Sequence, residues 1–365
     1  MNLRNQIRTM LAVLVLLPSA VLAVDEDQTA ETVLIYQRSS GGWPKNYDRD
    51  DQLTESRRKE VLADRGKRDS TIDNGATHRE IRILAAAYRK TSNDKYREAA
   101  VRGIKYLIEA QYDNGGWPQY YPLTSGYHLH ITYNDGAMIG VMELFRDIVQ
   151  GDEDFTFVSG EFRADCEQAL QRGLDCILKT QVRLAGQLTV WCAQHDRETL
   201  KPAKARSYEL PSLSGHESVG IVKYLMTIED PDVAIVNAIE AAIVWFQIHK
   251  LTGVRIERFD APGTPKGSDI KLVAATDAPT LWGRFYDLTE QRPFFCSRDG
   301  IPRRSISEIS YERRNGYSWL GEYARDLLNR DYPAWKTRQG RKDDLRNKSS
   351  PSRTYQLLSF SMVKF

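Results

Sequence analysis

Two short polar turns, each leading into an amphipathic helix, constrain the fold of this chain more than any other sequence feature. Asn-Asp-Gly at 134–136 opens the stretch 130–148, and Asp-Asn-Gly at 73–75 opens the stretch 72–88. Behind each turn, apolar residues recur at spacings of three and four, which predicts a helix with one apolar face. The sequence therefore indicates one helical unit used at least twice, with both polar turns at the same end.

Further helical patterns recur along the chain and predict a repeated architecture. They are separated by turn-rich loops, two of which read Gly-Gly-Trp-Pro, and cover residues 93–112, 160–180, 213–225 and 233–248, with a last helix expected to open at Asn315-Gly316. A helix–loop–helix recurrence at roughly 60–80 residues favours stacked helical hairpins. Curled round, such hairpins form an α/α toroid with the polar loops at one rim. Residues 251–312 have strand-like pieces and irregular turns, and predict a smaller region packed on that rim.

The N-terminus predicts export. Arg4 and Arg8 precede an apolar run at 10–17, and small residues follow up to Ala23. This order is typical of a secretory signal, so residues 1–23 are expected to be removed after Ala23. The apolar run is too short to span a bilayer. We therefore expect a secreted or periplasmic protein with no membrane segment.

Composition limits the class of function. A chain of 365 residues with 41% hydrophobic content can bury a full-sized core, and its formal net charge is only +2. No long basic run or basic helix is present, which argues against a nucleic-acid partner. The four cysteines show no zinc-site spacing, and they are expected to be structural. We expect residues 24–335 to form the folded domain. The basic tail at 336–365 is expected to be exposed or poorly ordered.

 The predicted organisation is thus a signal peptide at 1–23, one folded domain at 24–335 and a basic tail at 336–365.

Two acidic residues are candidates for a metal site. Asp73 and Asp135 offer carboxylate oxygens of the kind that calcium takes, and Asn74 and Asn134 could complete the ligand shell. The alternative for each aspartate is an ordinary helix N-cap. The chain has no EF-hand loop, so a calcium site would have to be assembled from separate segments.

Basic residues form two further candidate groups. Arg206 and Lys201 lie in a basic loop before the helix at 213–225, and the alternative for Arg206 is a simple ion pair with Glu209. Arg284 and Arg298 lie among aromatic residues. Guanidinium groups bind carboxylates through two hydrogen bonds, so these arginines suit an acidic sugar. Their alternative is a structural cation–π or ion-pair role.

Together, these motifs resemble those of the family 10 pectate lyases. The resemblance extends from about Gly41 to Trp335, and several separate motifs follow the family's order. The matching segments are Asp-Asn-Gly-Ala-Thr at 73–77, the two Gly-Gly-Trp-Pro loops, Tyr-Asn-Asp-Gly-Ala-Met at 133–138, Lys-Ala-Arg-Ser-Tyr-Glu at 204–209, Arg-Phe-Tyr-Asp at 284–287 and Arg-Asp-Gly at 298–300.

The resemblance implies a fold, a reaction and roles for individual residues. The implied fold is mainly α, an incomplete α/α toroid with a smaller mixed region, and the implied reaction is calcium-dependent β-elimination of polygalacturonate by a monomer. Asp135 looks like the calcium-ligating aspartate, Asp73 like a second acidic group at the metal, and Arg206 like the catalytic base. Arg284 and Arg298 resemble the arginines that bind galacturonate carboxylates. Weaker candidates for substrate contacts are Lys201, Tyr286, Asn74 and Trp117.

An arginine base requires an explanation, because the ordinary pKa of arginine exceeds 12. We expect neighbouring cations, namely Lys201, Lys204 and calcium, to lower the pKa of Arg206. An alkaline activity optimum follows from this hypothesis.

Two other classes of function stay open at this point. An inverting glycoside hydrolase would use Asp73 and Asp135 as acid and base and would yield saturated ends. A non-catalytic binder of acidic polysaccharide would release no new ends.

Overall fold

Helices dominate the computed structural model, which describes residues 27–123 and 125–349. The predicted signal peptide with its cleavage after Ala23 lies outside the described residues, as do residues 350–365 of the predicted tail. The helices are α1 (Gln28–Tyr36), α2 (Glu55–Ala63), α3 (His78–Thr91), α4 (Asp94–Ala110), α5 (Ala137–Gln150), α6 (Gly160–Thr180), α7 (Glu217–Leu225), α8 (Val233–Ile248), α9 (Tyr311–Gly316) and α10 (Tyr332–Ser349). None of these described helices is long and apolar enough to cross a bilayer.

The strands are short and pair in twos. They are β1 (Ile131–Thr132), β2 (Arg183–Leu184), β3 (Gln187–Leu188), β4 (Gln194–His195), β5 (Leu213–Ser214), β6 (Val254–Asp260), β7 (Ser268–Ala274), β8 (Trp282–Gly283), β9 (Phe285–Tyr286), β10 (Phe295–Cys296), β11 (Pro302–Arg303) and β12 (Leu320–Gly321). The antiparallel pairs are β1–β4, β2–β3, β5–β9, β6–β7, β8–β12 and β10–β11. The mainly α prediction with a short-strand region is confirmed.

The helices pack as successive hairpins. α3 packs on α4, α5 on α6 and α7 on α8, while α3, α5 and α7 also contact one another in series. Glycines permit the closest contacts: a Cβ on Gly103 of α4 would lie 2.6 Å from Ile81 of α3. The predicted stacking of helical hairpins follows from these contacts. Closure of the hairpins into an incomplete toroid stays a prediction.

Four tryptophans show that the hairpins are repeats of one unit. Each indole N–H donates, at 2.7–2.9 Å, to a carbonyl in the last turn of a preceding helix: Trp43 to Val33, Trp117 to Leu107, Trp191 to Ile177 and Trp282 to Phe246. Glutamines at three of these helix ends also repeat, each donating to a carbonyl of a later helix: Gln37 to Ala99, Gln111 to Ala169 and Gln181 to Ala238. Since helix ends leave carbonyls unpaired, the tryptophans satisfy a carbonyl where each helix stops, and the glutamines tie three of these ends to the interior of a later helix.

The prediction of a last helix that opens at Asn315-Gly316 is wrong. No helix opens at Asn315-Gly316; α9 ends there, and β12 follows because Leu320 and Gly321 pair with β8. Residues 336–349 of the predicted tail continue α10.

Candidate active site

Two similar turns lie side by side at one end of the helices. Asp73–Gly75 precedes α3, Asn134–Gly136 precedes α5, and the two turns contact each other. The middle residue of each has a positive φ, 53° at Asn74 and 51° at Asp135. Asn and Asp tolerate this conformation better than other residues with side chains, which explains the composition of both turns.

Neither aspartate is a helix cap. Helix α3 begins after Thr77 and α5 after Gly136, and neither N-cap makes a side-chain hydrogen bond. The N-cap alternative is therefore wrong for both Asp73 and Asp135, because each belongs to a separate turn ahead of its helix. Their carboxylates remain available for other interactions.

The Asp135 carboxylate belongs to a cluster of charged groups from three segments. Arg284 Nη2 lies 3.1 Å from Asp135 Oδ1 and 2.5 Å from Oε1 of Glu217, at the start of α7. His216 Nδ1 lies 3.0 Å from the same Glu217 oxygen, and the Ser214 hydroxyl donates to the other. The side chain of Asp135 is 38% exposed, whereas that of Glu217 is fully buried. Arg284 therefore connects a buried carboxylate to one that faces solvent.

The electrostatics of this cluster favour the charged forms of Glu217 and Arg284. Burial raises the pKa of Glu217, but the charge of Arg284 and the hydrogen bonds from His216 and Ser214 outweigh burial and hold that pKa far below its ordinary range. Burial lowers the pKa of Arg284, yet the charges of Glu217 and Asp135 more than offset it, so the pKa is raised. A buried ion pair of this kind depends on both partners being present.

The Asp73 carboxylate has a different partner. Asp73 is only 3% exposed, and one of its oxygens pairs closely with the Lys45 ammonium group from the first Gly-Gly-Trp-Pro loop. Burial lowers the pKa of Lys45, but the hydrogen bond and charge of Asp73 prevail and raise it. The other oxygen, Oδ1, is buried without a hydrogen-bond partner among the described residues. An unpartnered buried oxygen is costly unless a ligand satisfies it.

Arg206 forms an ion pair with Glu209 on the same loop. Arg206 Nε lies 2.7 Å from Glu209 Oε2, and Tyr317 donates its hydroxyl to Glu209 Oε1 at 2.7 Å. The hydrogen bond from Arg206 to Glu209 raises the pKa of Arg206, and burial opposes this only in part. The expectation that Lys201 and Lys204 lower this pKa is wrong for this arrangement, because the dominant neighbour is an anion.

Two tyrosine rings bring the three predicted arginines together. Tyr208 and Tyr317 pack edge to face with ring centroids 5.3 Å apart. The Arg206 guanidinium lies 5.0 Å from the Tyr208 ring, that of Arg298 5.7 Å from the same ring, and that of Arg284 4.9 Å from the Tyr317 ring. Cations favour such positions over aromatic faces. Arg206, Arg284 and Arg298 thus converge on one surface beside Asp135, although Arg206 and Arg298 are 92 positions apart in the sequence.

Arg298 is the most accessible of these arginines. It is exposed and pairs with the exposed Glu312, Nη2 to Oε1 at 3.0 Å. Surface pairs of this kind contribute little to stability, so a substrate carboxylate can replace Glu312 at small cost.

Two of the weaker candidates lie on the surface. Asn74 is exposed and donates its amide to Asn46 at 2.9 Å. Lys201 is exposed in the loop before Arg206, and its backbone carbonyl accepts from Asp196 at 2.8 Å. Both side chains are accessible to a ligand.

The other two weaker candidates are buried. Trp117 is one of the repeated tryptophans that close helix ends, and Tyr286 donates its hydroxyl to the His249 carbonyl at 2.8 Å. Both are at most 1% exposed. The prediction that they contact substrate directly is wrong, because their rings fill the core.

Sequence reasoning missed Lys45, Glu217 and Tyr317. Each lies in a segment that the sequence analysis had described, namely the first Gly-Gly-Trp-Pro loop, the start of α7 and the segment after Asn315. The one available signal was Glu217, a charged residue directly ahead of an apolar helix. Lys45 and Tyr317 carry no local signal, since their role depends on partners 28 and 108 positions away.

The donor set around the two turns fits a hard cation. Asp135, His216 and Glu217 each bring one potential ligand atom within 4.8 Å of the others, although Arg284 already neutralises part of the carboxylate charge. The partly exposed Asp135 carboxylate and the unpartnered Asp73 Oδ1 supply oxygen ligands, which calcium prefers.

The sequence and fold were compared with those of known proteins. The sequence matches the family described as pectic acid lyase over residues 37–328. The fold is similar to that of a family 10 polysaccharide lyase from Cellvibrio cellulosa, with 37% identity, a TM-score of 0.71, and 82% of this chain and 90% of that chain covered. An aspartate-to-alanine mutant of that lyase, in complex with trigalaturonic acid, is similar with the same identity and coverage and a TM-score of 0.72. The search of curated proteins found no match.

Proposed function

The chain belongs to the pectic acid lyase family and is a pectate lyase, and we propose that it cleaves polygalacturonate by calcium-assisted β-elimination with Arg206 as the base. The convergence of Arg206, Arg284 and Arg298 on the Tyr208–Tyr317 pair, beside the Asp135 carboxylate, is the observation that carries this proposal. Three guanidinium groups on one surface suit a polymer with a carboxylate on every sugar. A galacturonate oligosaccharide in the complex of the similar Cellvibrio lyase supports this substrate.

Asp135 and Asp73 would hold the calcium ion. Asp135 offers a partly exposed carboxylate, and Asp73 offers the buried oxygen that has no partner in the described chain. When bound, calcium withdraws charge from the substrate carboxylate next to C5 and makes the C5 proton easier to remove. The neighbouring Arg284, held by Glu217, keeps a fixed positive charge where the negative charge develops.

The proton at C5 would pass to Arg206. The electrons of the C5–H bond form the double bond between C4 and C5 as the C4–O bond breaks, which leaves an unsaturated galacturonate end. The electrons of the C4–O bond leave with the oxygen of the departing sugar, which takes a proton from water. Arg206 must be neutral to accept the proton, and its pair with Glu209 disfavours the neutral form. Activity should therefore rise with pH into the alkaline range.

The buried state of Asp73 counts against the hydrolase alternative. An inverting hydrolase needs two carboxyl groups that reach opposite sides of a glycosidic bond. Asp73 is buried and tied to Lys45, so it is poorly placed to give a proton to a sugar oxygen.

The ultraviolet absorbance of the conjugated double bond tests this proposal, because only elimination creates that bond. Polygalacturonate would be incubated with the protein at alkaline pH, with calcium and with excess chelator, and reducing ends would be counted in parallel. We expect an absorbance rise that requires calcium and is lost in Arg206→Ala. New reducing ends without absorbance would indicate hydrolysis, and binding without new ends would indicate a non-catalytic binder.

We also propose export, with cleavage after Ala23 giving a mature chain whose catalytic domain spans residues 24–335. The charged start, apolar run and small-residue site support it. N-terminal sequencing of the exported protein tests the position of the cut, and an intact Met1 would contradict it.

A further inference from the structure

A group of aromatic side chains next to the Asp73 turn has no role in the mechanism above. The His128 ring lies 3.9 Å from the Tyr127 ring and 4.8 Å from the Tyr120 ring, measured between centroids. All three side chains are half-buried. Among the described residues, Tyr112 and Tyr121 pack against the hydrophobic core, whereas Tyr120 and Tyr127 are not part of that packing. A contiguous group of half-buried rings, in contrast to a single one, is a candidate interaction site.

The aromatic group is fixed to the segment that carries Asp73. The Gln119 carbonyl, next to Tyr120, accepts from the Ile72 amide at 3.2 Å and from the Thr71 hydroxyl at 2.5 Å. The Gln119 side chain in turn bonds Nδ1 of His128 at 2.7 Å. The rings therefore hold a defined position relative to the turn, which is a requirement for a binding surface.

Charged groups of the active site lie near these rings. Lys45, the partner of Asp73, lies with its Nζ atom 5.7 Å from the Tyr120 ring centroid. Burial raises the pKa of Tyr127, while the charges of Arg206 and Lys45 oppose that rise, so Tyr127 is within electrostatic range of both cations. Tyr127 thus lies near both the candidate base and Lys45.

We infer that Tyr127, His128 and Tyr120 form an aromatic platform that binds one sugar ring of the galacturonate chain by stacking. A ring of galacto configuration carries the C3, C4 and C5 hydrogens on one face, and these weakly positive hydrogens suit the negative face of an aromatic ring. The cations on either side would bind the carboxylates while the platform binds the sugar face. This inference rests on the proposed function, since it names a further subsite of the same cleft.

The test compares Tyr127→Ala with Tyr127→Phe. Stacking needs the ring and not the hydroxyl, so Tyr127→Ala should weaken polygalacturonate binding by about 3- to 10-fold and Tyr127→Phe should bind like the wild type. Tyr88→Ala is a matched control: Tyr88 is also half-buried, contacts another ring and lies under an arginine, but it sits in the last turn of α3, away from the Asp73 turn. Affinity electrophoresis in polygalacturonate gels measures binding without turnover.

Salt dependence separates stacking from charge effects. The ratio of wild-type to Tyr127→Ala affinity should be the same at low and high salt, because stacking involves no net charge. A ratio that falls to one at high salt would overturn the inference, as would equal affinities of Tyr127→Ala and wild type or an equal loss in Tyr127→Phe. Tyr127→Leu replaces the alanine variant if thermal unfolding shows that the latter does not fold.

The binding readout keeps this inference separate from the proposed function. A wild-type protein that is retarded in the gel but produces no unsaturated ends contradicts the lyase mechanism and still allows the platform to be tested. An active wild-type enzyme whose Tyr127→Ala variant binds normally contradicts the platform alone.

Discussion

The two turns of the site share a backbone conformation but reverse the order of their polar residues. Asn74 and Asp135 occupy the same conformation, φ 53° and ψ 29° against φ 51° and ψ 29°. In the first turn the carboxylate precedes this position and is buried, as Asp73; in the second the amide precedes it and is buried, as Asn134. The residue with positive φ is exposed in both turns.

The shared backbone conformation therefore provides one buried and one exposed side-chain position in each turn. The order of Asp and Asn decides which of these two positions carries the charge. The buried carboxylate of Asp73 pairs with a lysine whose side chain is 27% exposed. The exposed carboxylate of Asp135 pairs with an arginine whose side chain is 9% exposed and which also serves the buried Glu217. Each turn thus joins one buried charge to one that solvent or a ligand can reach.

The largest difference between the two turns should appear when their cations are removed. Arg284→Ala leaves the buried Glu217 carboxylate without its arginine, with only the hydrogen bonds to His216 and Ser214, and should cost about 3–5 kcal/mol of unfolding free energy. Lys45→Ala leaves the buried Asp73 carboxylate without its cation. Because the Lys45 side chain is partly exposed, water can take its place, and the loss should be about 1–3 kcal/mol. Urea unfolding measures both. Equal losses would contradict the expected difference between the two turns.

Replacing the carboxylates tests whether both turns bind the same ion. Asp135→Asn and Asp73→Asn should each raise the calcium concentration for half-maximal activity by about tenfold or more, because calcium affinity depends on the number of charged ligands. The measurement is a calcium titration of the initial rate. Asp175→Asn, at an exposed position of α6, is the control and should match the wild type. If the calcium concentration for half-maximal activity rises in only one of the two variants, calcium binds at that turn alone.

The repeated units were predictable because their signals are local. The polar turns at 73–75 and 134–136 and the helices behind them are encoded in short stretches of apolar spacing and turn residues. The prediction of the last helix was wrong because of a long-range contact. Leu320 and Gly321 pair with β8, and such pairing overrides the local pattern.

The candidate site was predictable only as a set of residue types. Arg206, Arg284 and Arg298 were identified, but the Tyr208–Tyr317 pair that gathers them joins positions 109 residues apart. The pKa of Arg206 was predicted in the wrong direction, because the sequence does not show whether a neighbouring lysine or Glu209 points at the guanidinium. Sequence order alone carries no such information.

The Arg206–Glu209 pair is a third carboxylate–cation pair, and its cation, with a side chain 43% exposed, is more accessible than those of the turns. Glu209→Gln removes the charge that favours protonated Arg206, so the pKa of Arg206 should fall and neutral arginine should form at lower pH. The rising limb of the pH dependence of kcat should then move to lower pH by about one unit. Glu312→Gln, which alters the partner of Arg298 instead, should leave that limb in place. An unchanged limb in Glu209→Gln would argue against Arg206 as the base.

The smallest expected effect is the difference in stability loss between alanine substitutions at the glycines that end the two turns. Gly75 and Gly136 both have positive φ, 77° and 72°, so alanine at either position should cost about 1–2 kcal/mol of unfolding free energy. A Cβ on Gly136 would meet open space, whereas one on Gly75 would lie 2.4 Å from the Arg79 side chain. Since Arg79 is exposed and flexible, its displacement should add less than about 1 kcal/mol to the loss in Gly75→Ala. Thermal unfolding of the two variants measures this difference. A larger loss in Gly136→Ala would mean that the two turns do not share the backbone conformation on which the comparison depends.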